Sequence, residues 1–187
     1  MQKIGFDTEK YLTLQSERIK ERMEYFGGKL YLEFGGKLFD DFHAARVLPG
    51  FLPDSKMRML VQLKDQAEII IAINANDIQK NKHRGDLGIT YDLEVMRLID
   101  AFREYGLYVG SVVLTRYASQ SSAVAFERRL KALGIRTYRH YAIADYPSNI
   151  PLVVSDDGFG KNDYIETTRP VVVVTAPVPA AARWPPV

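Results

Sequence analysis

Two runs, EIIIAINA at residues 68–75 and VVVVT at residues 171–175, constrain this chain more than any other feature. Neither alternates apolar with polar side chains, so neither suits a sheet with one face in water. Near-continuous β-branched runs of this length are strands covered on both faces, the signature of a parallel sheet clothed by helices. Helical stripes fill the intervals. Leu12, Ile19, Met23 and Phe26 line one face of a first helix, with Asp7 or Thr8 as its cap and Gly27-Gly28 as its stop. Residues 30–34 read as a short strand ended by Gly35-Gly36, and Pro49-Gly50 marks a later turn. Within 53–66, Met57, Leu60 and Leu63 share a helical face, and Pro53 stands near the start, where its missing N–H is harmless.

The helix that follows has the fullest set of signals. Asp92 is its expected cap, Tyr91 and Met96 its hydrophobic staple, and Glu94 favours the positive end. Leu93, Met96, Leu98, Ile99 and Phe102 form the expected buried side, with Gly106 as the stop. Residues 108–114 return to strand, and Ala123, Phe126, Leu130 and Leu133 form another stripe ended by Gly134. Residues 135–143 are strand-like, and Arg136, Arg139 and His140 predict a wet face or an edge position. At least four strands separated by helical patterns predict right-handed βαβ crossovers. The expected fold is α/β, a mostly parallel sheet with helices on both faces. It forms an N-terminal domain over 1–176, followed by an aberrant Pro/Ala-rich tail over 177–187.

Composition narrows the function classes. The chain has 187 residues, 47% of them apolar, enough for one filled core. Twenty-five Lys and Arg against 23 Asp and Glu leave a net charge of +2, which gives no reason to expect nucleic acid or a membrane as partner. The absence of cysteine excludes disulfides, cysteine nucleophiles, thiolate zinc sites and cysteine-ligated iron–sulfur clusters, and suits a reducing compartment. No run approaches the roughly 18 apolar residues of a membrane span, and residues 1–10 lack a signal-peptide apolar region, so a cytoplasmic location is expected. His43, His83 and His140 are dispersed and no HExxH pair occurs, so no metal site is assigned. GxSxG and GxxxxGK[ST] are absent too, which removes serine-hydrolase and self-sufficient phosphate-loop readings.

Parallel sheets bind ligands beyond the carboxyl ends of their strands, and three segments fall there. In 35–43, Gly35 and Gly36 can bring backbone N–H groups near an anion, and Lys37 can hold a phosphate or carboxylate. Asp40 and Asp41 suit a divalent ion or acid/base work. A solvated loop with a short amphipathic helix explains the same residues. In 76–88, beyond Asn74, the candidates are Asn76, Asp77, Lys80, His83, Arg84 and Asp86. Arg84 can clamp a carboxylate or phosphate bidentately and His83 can titrate near neutrality; a plain surface connection is the other reading. In 155–163, Gly158 and Gly160 permit tight geometry and Asp156 and Asp157 resemble cation ligands without EF-hand spacing. That segment is either a lid over substrate or an ordinary loop. Thr167, Thr168 and Arg169 precede the last strand, where packing or capping is their expected job.

The strings MQKIGFDTEKYL, LYLEFGGKLFDDFHAARVLPGF, LKDQAEIIIAINANDI, RGDLGITYD and SDDGFGKNDYIETTRPVVVVTAP closely resemble the bacterial family DUF1846, also called UPF0371. The resemblance covers residues 1–177 and implies a larger cytoplasmic protein of unestablished molecular activity. It also implies that the last strand should continue approximately as TAPGPGSGKMAT, a glycine-rich turn reminiscent of a phosphate-binding loop. Here Thr175, Ala176 and Pro177 match, but Val178 replaces the first glycine and the later lysine and glycines have no counterparts. Deleting a single G from one coding of APGPGSGKMAT yields APVPAAARWPP, identical to residues 176–186. The tail is therefore expected to be frameshifted and the chain a fragment.

The leading functional expectation is an enzyme, in its intact form, that uses a nucleotide with a divalent cation or a small phosphorylated or anionic ligand. Gly35, Gly36, Lys37 and Arg84 would bind that ligand; Asp40 and Asp157 would position a metal ion or proton as catalytic residues. A non-catalytic metabolite-binding or assembly module is the alternative. The chain by itself is expected to be inactive and to self-associate.

Overall fold

A computed structural model describes residues 5–177; the tail beyond Pro177, and with it the frameshift expectation, lies outside the described residues. In chain order the elements are α1 (Thr8–Phe26), β1 (Leu30–Phe34), α2 (Phe42–Val47), α3 (Ser55–Val61), β2 (Ala67–Asn74), α4 (Ala75–Gln79), β3 (His83–Arg84) and β4 (Ile89–Thr90). Then come α5 (Tyr91–Glu104), β5 (Tyr108–Thr115), α6 (Ser121–Ala132), β6 (Arg136–Arg139), α7 (Ile150–Val153), a 3₁₀ turn (Phe159–Lys161) and β7 (Val171–Thr175).

Five strands make one parallel sheet in the order β1-β7-β2-β5-β6. The last strand of the described chain therefore inserts between the first two. Val171 pairs with Leu30 on one side and Ala67 on the other, and Thr175 with Phe34 and Ile71. This explains the composition of the two defining runs. β2 and β7 are interior strands: the first seven residues of β2 are buried, and Val171, Val172 and Val173 have no exposure.

From β1 through β2 and β5 to β6 the chain steps across the sheet in one direction, so right-handed crossovers deliver α3, α5 and α6 to the same side. Their apolar residues and those of α1 form one core with Ile69, Ile71, Ile73, Val112, Leu114, Val171 and Val173. The return from β6 to β7 runs the other way. On the opposite face Ile70, Ala72, Val113 and Val172 form a smaller cluster, joined from the return connection by Ile165. At about 25 cal/mol per Å² of apolar surface, the larger cluster carries most of the burial energy.

Local signals act largely as expected at the helix ends. The Asp7 carboxylate caps α1, accepting from the Lys10 N–H at 3.0 Å, and Gly27 closes it in the left-handed region with φ 58°. Phe26, though in register with the stripe, is 68% exposed, because the helix ends there and the chain turns away. Leu133 is likewise half exposed at the end of α6.

The larger correction concerns α5. It begins at Tyr91 with Thr90 as its cap, so neither the Asp92 cap nor the staple is realised. The cause is a hairpin unforeseen in the sequence: β3 and β4 pair antiparallel, the Tyr91 N–H donates to the Lys82 carbonyl at 3.0 Å, and β4 runs directly into the helix. Glu94 does stand in the first turn, but it is 1% exposed, and Leu93 is exposed; Val95, Leu98, Ile99 and Phe102 make the buried face. The strand expected over 135–143 shrinks to the four residues of β6, at the sheet edge that its charged side chains predicted.

Candidate functional site

The segment leaving β1 is shaped by a glycine and then pinned. Gly36 has φ 76°, and the Lys56 ammonium donates to the Gly35 carbonyl at 3.1 Å, closing the turn from outside. Leu38, 1% exposed, anchors the next residues in the core while its carbonyl accepts from the Met57 N–H at 3.1 Å. Asp40 follows, its side chain only 10% exposed.

Arg84 of β3 meets that carboxylate. Its side chain is 7% exposed and four of its five N–H groups meet carboxylates. Nη2 donates to Asp40 Oδ2 at 2.8 Å, Nη1 to Glu94 Oε1 at 2.5 Å, and Nε with Nη2 to the two oxygens of Asp86 at 2.9 and 3.1 Å. Arg97, one turn along α5 from Glu94, donates to Glu94 Oε2 at 2.9 Å and also to Asp40, with its guanidinium 4.6 Å from the Phe39 ring centroid. Lys37 Nζ lies 2.5 Å from Asp86 Oδ2. Three cations thus interlock with three carboxylates drawn from the β1 loop, the hairpin and α5.

The electrostatics follow from this arrangement. Burial works against the Arg84 charge, but the hydrogen bonds to Asp86 and Asp40 outweigh it and hold the guanidinium more firmly protonated. Hydrogen bonds from Arg84 first, then from Lys37, hold the Asp86 carboxyl well below the usual carboxylate range. Asp40 keeps one oxygen, Oδ1, buried and without a partner among the described residues. Asp40, Lys37, Arg84 and Glu94 line a cleft at the carboxyl ends of β1 and β7, roofed by Ala176 and Pro177 and offering about 10 Å³, room for one water.

Of the residues singled out in the sequence, Gly35, Gly36, Lys37, Asp40 and Arg84 come together here. Asp157 does not. Its loop is tied to β6, where Asp163 and Asn162 accept from the Arg139 and Tyr141 N–H groups at 2.8 and 2.7 Å. β6 is four strand positions from β1, about 19 Å at the usual spacing of neighbouring strands. Asp41 caps α2 through the Ala44 N–H at 3.2 Å, and His83 is exposed. Thr168 and Arg169 donate backbone N–H groups to the Glu68 carboxylate, which ties the approach to β7 in place.

Sequence reasoning missed Glu94 and Arg97. Their signal was a Glu and an Arg three residues apart on an amphipathic helix, with the Glu between two apolar positions; an unpaired buried carboxylate is costly enough that such a residue demands a basic partner. Asp40, Asp86 and Glu94 all converge on Arg84, so the guanidinium already fills the centre where a divalent ion would sit. Among the described residues no group of three or more His, Cys, Asp or Glu side chains is arranged to hold a metal ion.

No helix among the described residues is long and apolar enough to cross a membrane. Residues 4–184 match the family model described as "Domain of unknown function DUF1846, N-terminal". The chain is 58% identical over 183 residues to a UPF0371 protein of Streptococcus sanguinis (strain SK36) and 56% identical to one of Streptococcus equi subsp. equi (strain 4047). A UPF0371 protein of Streptococcus pneumoniae (strain CGSP14) is 55% identical over the same span. Each alignment covers 98% of this chain and 37% of the relative, so the chain spans little more than a third of the curated relatives it matches. With more than half of its length matched by the family model, the chain belongs to the DUF1846 family, through that family's N-terminal domain.

Proposed function

We propose that the cleft beyond β1 and β7 binds the anionic group of a small phosphorylated or carboxylated ligand, and that the intact protein uses this ligand as an enzyme. The observation that carries the reading is the convergence of Lys37, Arg84 and Arg97 at the carboxyl end of a parallel sheet, the usual ligand side of such sheets. Lys37 and Arg97, with side chains 27% and 32% exposed, supply the accessible charge; Arg84 orients both through shared carboxylates. Gly35 and Gly36 shape the turn that presents Lys37, and Asp40 Oδ1 is the free acceptor for a ligand hydroxyl or a transferred proton. A nucleotide with a divalent cation fits this reading through its phosphates. Asp157 enters it only with a ligand long enough to span the carboxyl end of the sheet.

The test is a titration of nucleotides and phosphorylated metabolites against the full-length protein and its Lys37→Ala variant. Loss of one charge-assisted hydrogen bond predicts weaker binding by about 1.5 to 3 kcal/mol with little change in thermal stability. An unchanged dissociation constant in a folded variant removes Lys37 from the site. Binding without product formation across the panel selects the other reading, a metabolite-binding or assembly module.

A further inference from the structure

The three acids around Arg84 are not equivalent. Asp40 and Glu94 are 10% and 1% exposed and line the cleft, on a segment anchored by Leu38 and on α5. Asp86 is 38% exposed and sits at the tip of a hairpin whose strands are two residues each. The tip packs little side-chain surface: Leu87 is 44% exposed, and side-chain carbons added at Gly85 or Gly88 would meet nothing within 4 Å. The Leu87 and Gly88 N–H groups close the turn on the Arg84 carbonyl at 3.2 and 2.8 Å, and the side-chain tie of the tip is the Asp86 carboxylate. That carboxylate takes both oxygens to the Nε/Nη2 edge of Arg84, the edge best matched to a planar or tetrahedral anion, and shares Lys37 as well.

We infer that Asp86 is a built-in stand-in for the ligand's anionic group, occupying the Arg84–Lys37 seat until a phosphate or carboxylate displaces it and releases the hairpin tip. The inference rests on the anion-binding reading of the cleft and adds to it a competitor and a moving part. Since Asp86 stays ionised far into acid, protonation does not open the seat at physiological pH; a competing anion does.

Removing an internal competitor raises apparent affinity by the inverse of the open fraction. With two or three charge-assisted hydrogen bonds to break, Asp86→Ala should bind inorganic phosphate about 10- to 100-fold more tightly than wild type in isothermal titration. Asp86→Asn, which keeps the shape and loses the charge, should move in the same direction, and adding Lys37→Ala should abolish the gain. Acetate, run in parallel, tells a carboxylate seat from a phosphate seat. In wild type, the Gly85 and Gly88 amide resonances should shift on saturation with the tighter anion. If phosphate and acetate bind wild type in a Lys37-dependent way but bind neither Asp86 variant more tightly, the stand-in is refuted while the anion cleft survives. If no variant with wild-type thermal unfolding binds either anion, both fail.

Discussion

A β-carbon on Gly110 would lie 2.1 Å from Oε1 of Glu68 and 2.6 Å from its Cγ. Glu68 has no solvent exposure, and its Oε2 accepts from the Thr168 N–H at 2.7 Å, the Thr168 hydroxyl at 3.2 Å and the Arg169 N–H at 3.3 Å. The buried carboxylate thus fastens the approach to β7 onto β2. The register between β2 and β5 slips by one residue between Ile69 and Ile70, which leaves Gly110 as the bulged residue beside Glu68. Gly110→Ala should therefore destabilise the protein by about 1 to 3 kcal/mol through overpacking, read as a lowered denaturant midpoint. Glu68→Ala should restore part of that loss in the double variant, since it removes the clashing atoms. Strict additivity of the two changes would deny the contact.

The hierarchy of acids around Arg84 makes a stability prediction separate from ligand binding. Arg84→Gln leaves Asp40 and Glu94 in a buried setting with Arg97 as their remaining guanidinium partner, and breaking such a network typically costs about 3 to 5 kcal/mol. Asp86→Asn removes a carboxylate that is more than a third exposed, and should cost less than about 1 kcal/mol. Urea unfolding of the two variants checks the contrast. Equal losses would show that burial does not rank these pairs.

Besides Asp86, two groups near β6 contribute to the acid limb of stability. Burial holds His140 below its usual 6.5, only partly offset by the hydrogen bond from its Nε2–H to the Asp163 carbonyl at 3.2 Å. A lowered histidine means that the folded state binds fewer protons, so its contribution is complete above about pH 6.5 and is lost as pH falls through the lower folded midpoint. Burial alone would raise Glu127, but hydrogen bonds from Arg139 and Lys131 bring it below 4.5, so its contribution holds above that pH and is lost in stronger acid. Unfolding free energy measured against pH should fall first through the histidine range and then in stronger acid, with His140→Gln removing the first stage and Glu127→Gln diminishing the second, which Asp86 shares. At neutral pH Glu127→Gln should cost about 1 kcal/mol, because Arg139 and Lys131 are exposed enough to regain water. A wild type that gains stability below pH 6.5 relative to His140→Gln would reverse the sign.

The sequence made the sheet legible because burial on both faces leaves a compositional trace: EIIIAINA and VVVVT became β2 and β7, and the parallel α/β architecture followed. Strand order was not legible. Nothing in residues 171–175 says that they insert between β1 and β2, since that choice depends on pairing partners far apart in the chain. Four of the six charged groups could be named in advance, because Lys37, Asp40, Arg84 and Asp86 follow strands or lie in polar loops. Glu94 and Arg97 escaped because a helical Glu near an N-terminus reads as a dipole partner, and only the two-residue strands of the hairpin bring Arg84 against it. Asp157 stands apart from the cluster for the opposite reason: local chemistry suits a site, but its loop is tied to the far edge of the sheet.

The two edges of the sheet differ in a way that bears on association. β6 carries Arg136 and Arg139, charges that discourage another strand from pairing. β1 is the other edge; it pairs with β7 alone among the described strands, and its sequence LYLEF has a single charge. Tyr31, on that strand, is 65% exposed, and its neighbour across the β1–β7 pair, Val172, lies in the smaller of the two apolar clusters. An edge of this kind presents free backbone groups and an aromatic side chain together, the combination that natural sheets usually cover or charge. The 187-residue chain should accordingly self-associate, its apparent mass in size-exclusion chromatography with light scattering rising with concentration. Tyr31→Lys places a charge on the exposed face and should lower that mass toward the monomer without lowering the unfolding temperature, as the side chain is mostly in solvent. A wild-type chain that stays a monodisperse monomer across the concentration range would show that the β1 edge is already protected, and a Tyr31→Lys variant that associates equally well would move the contact to another surface.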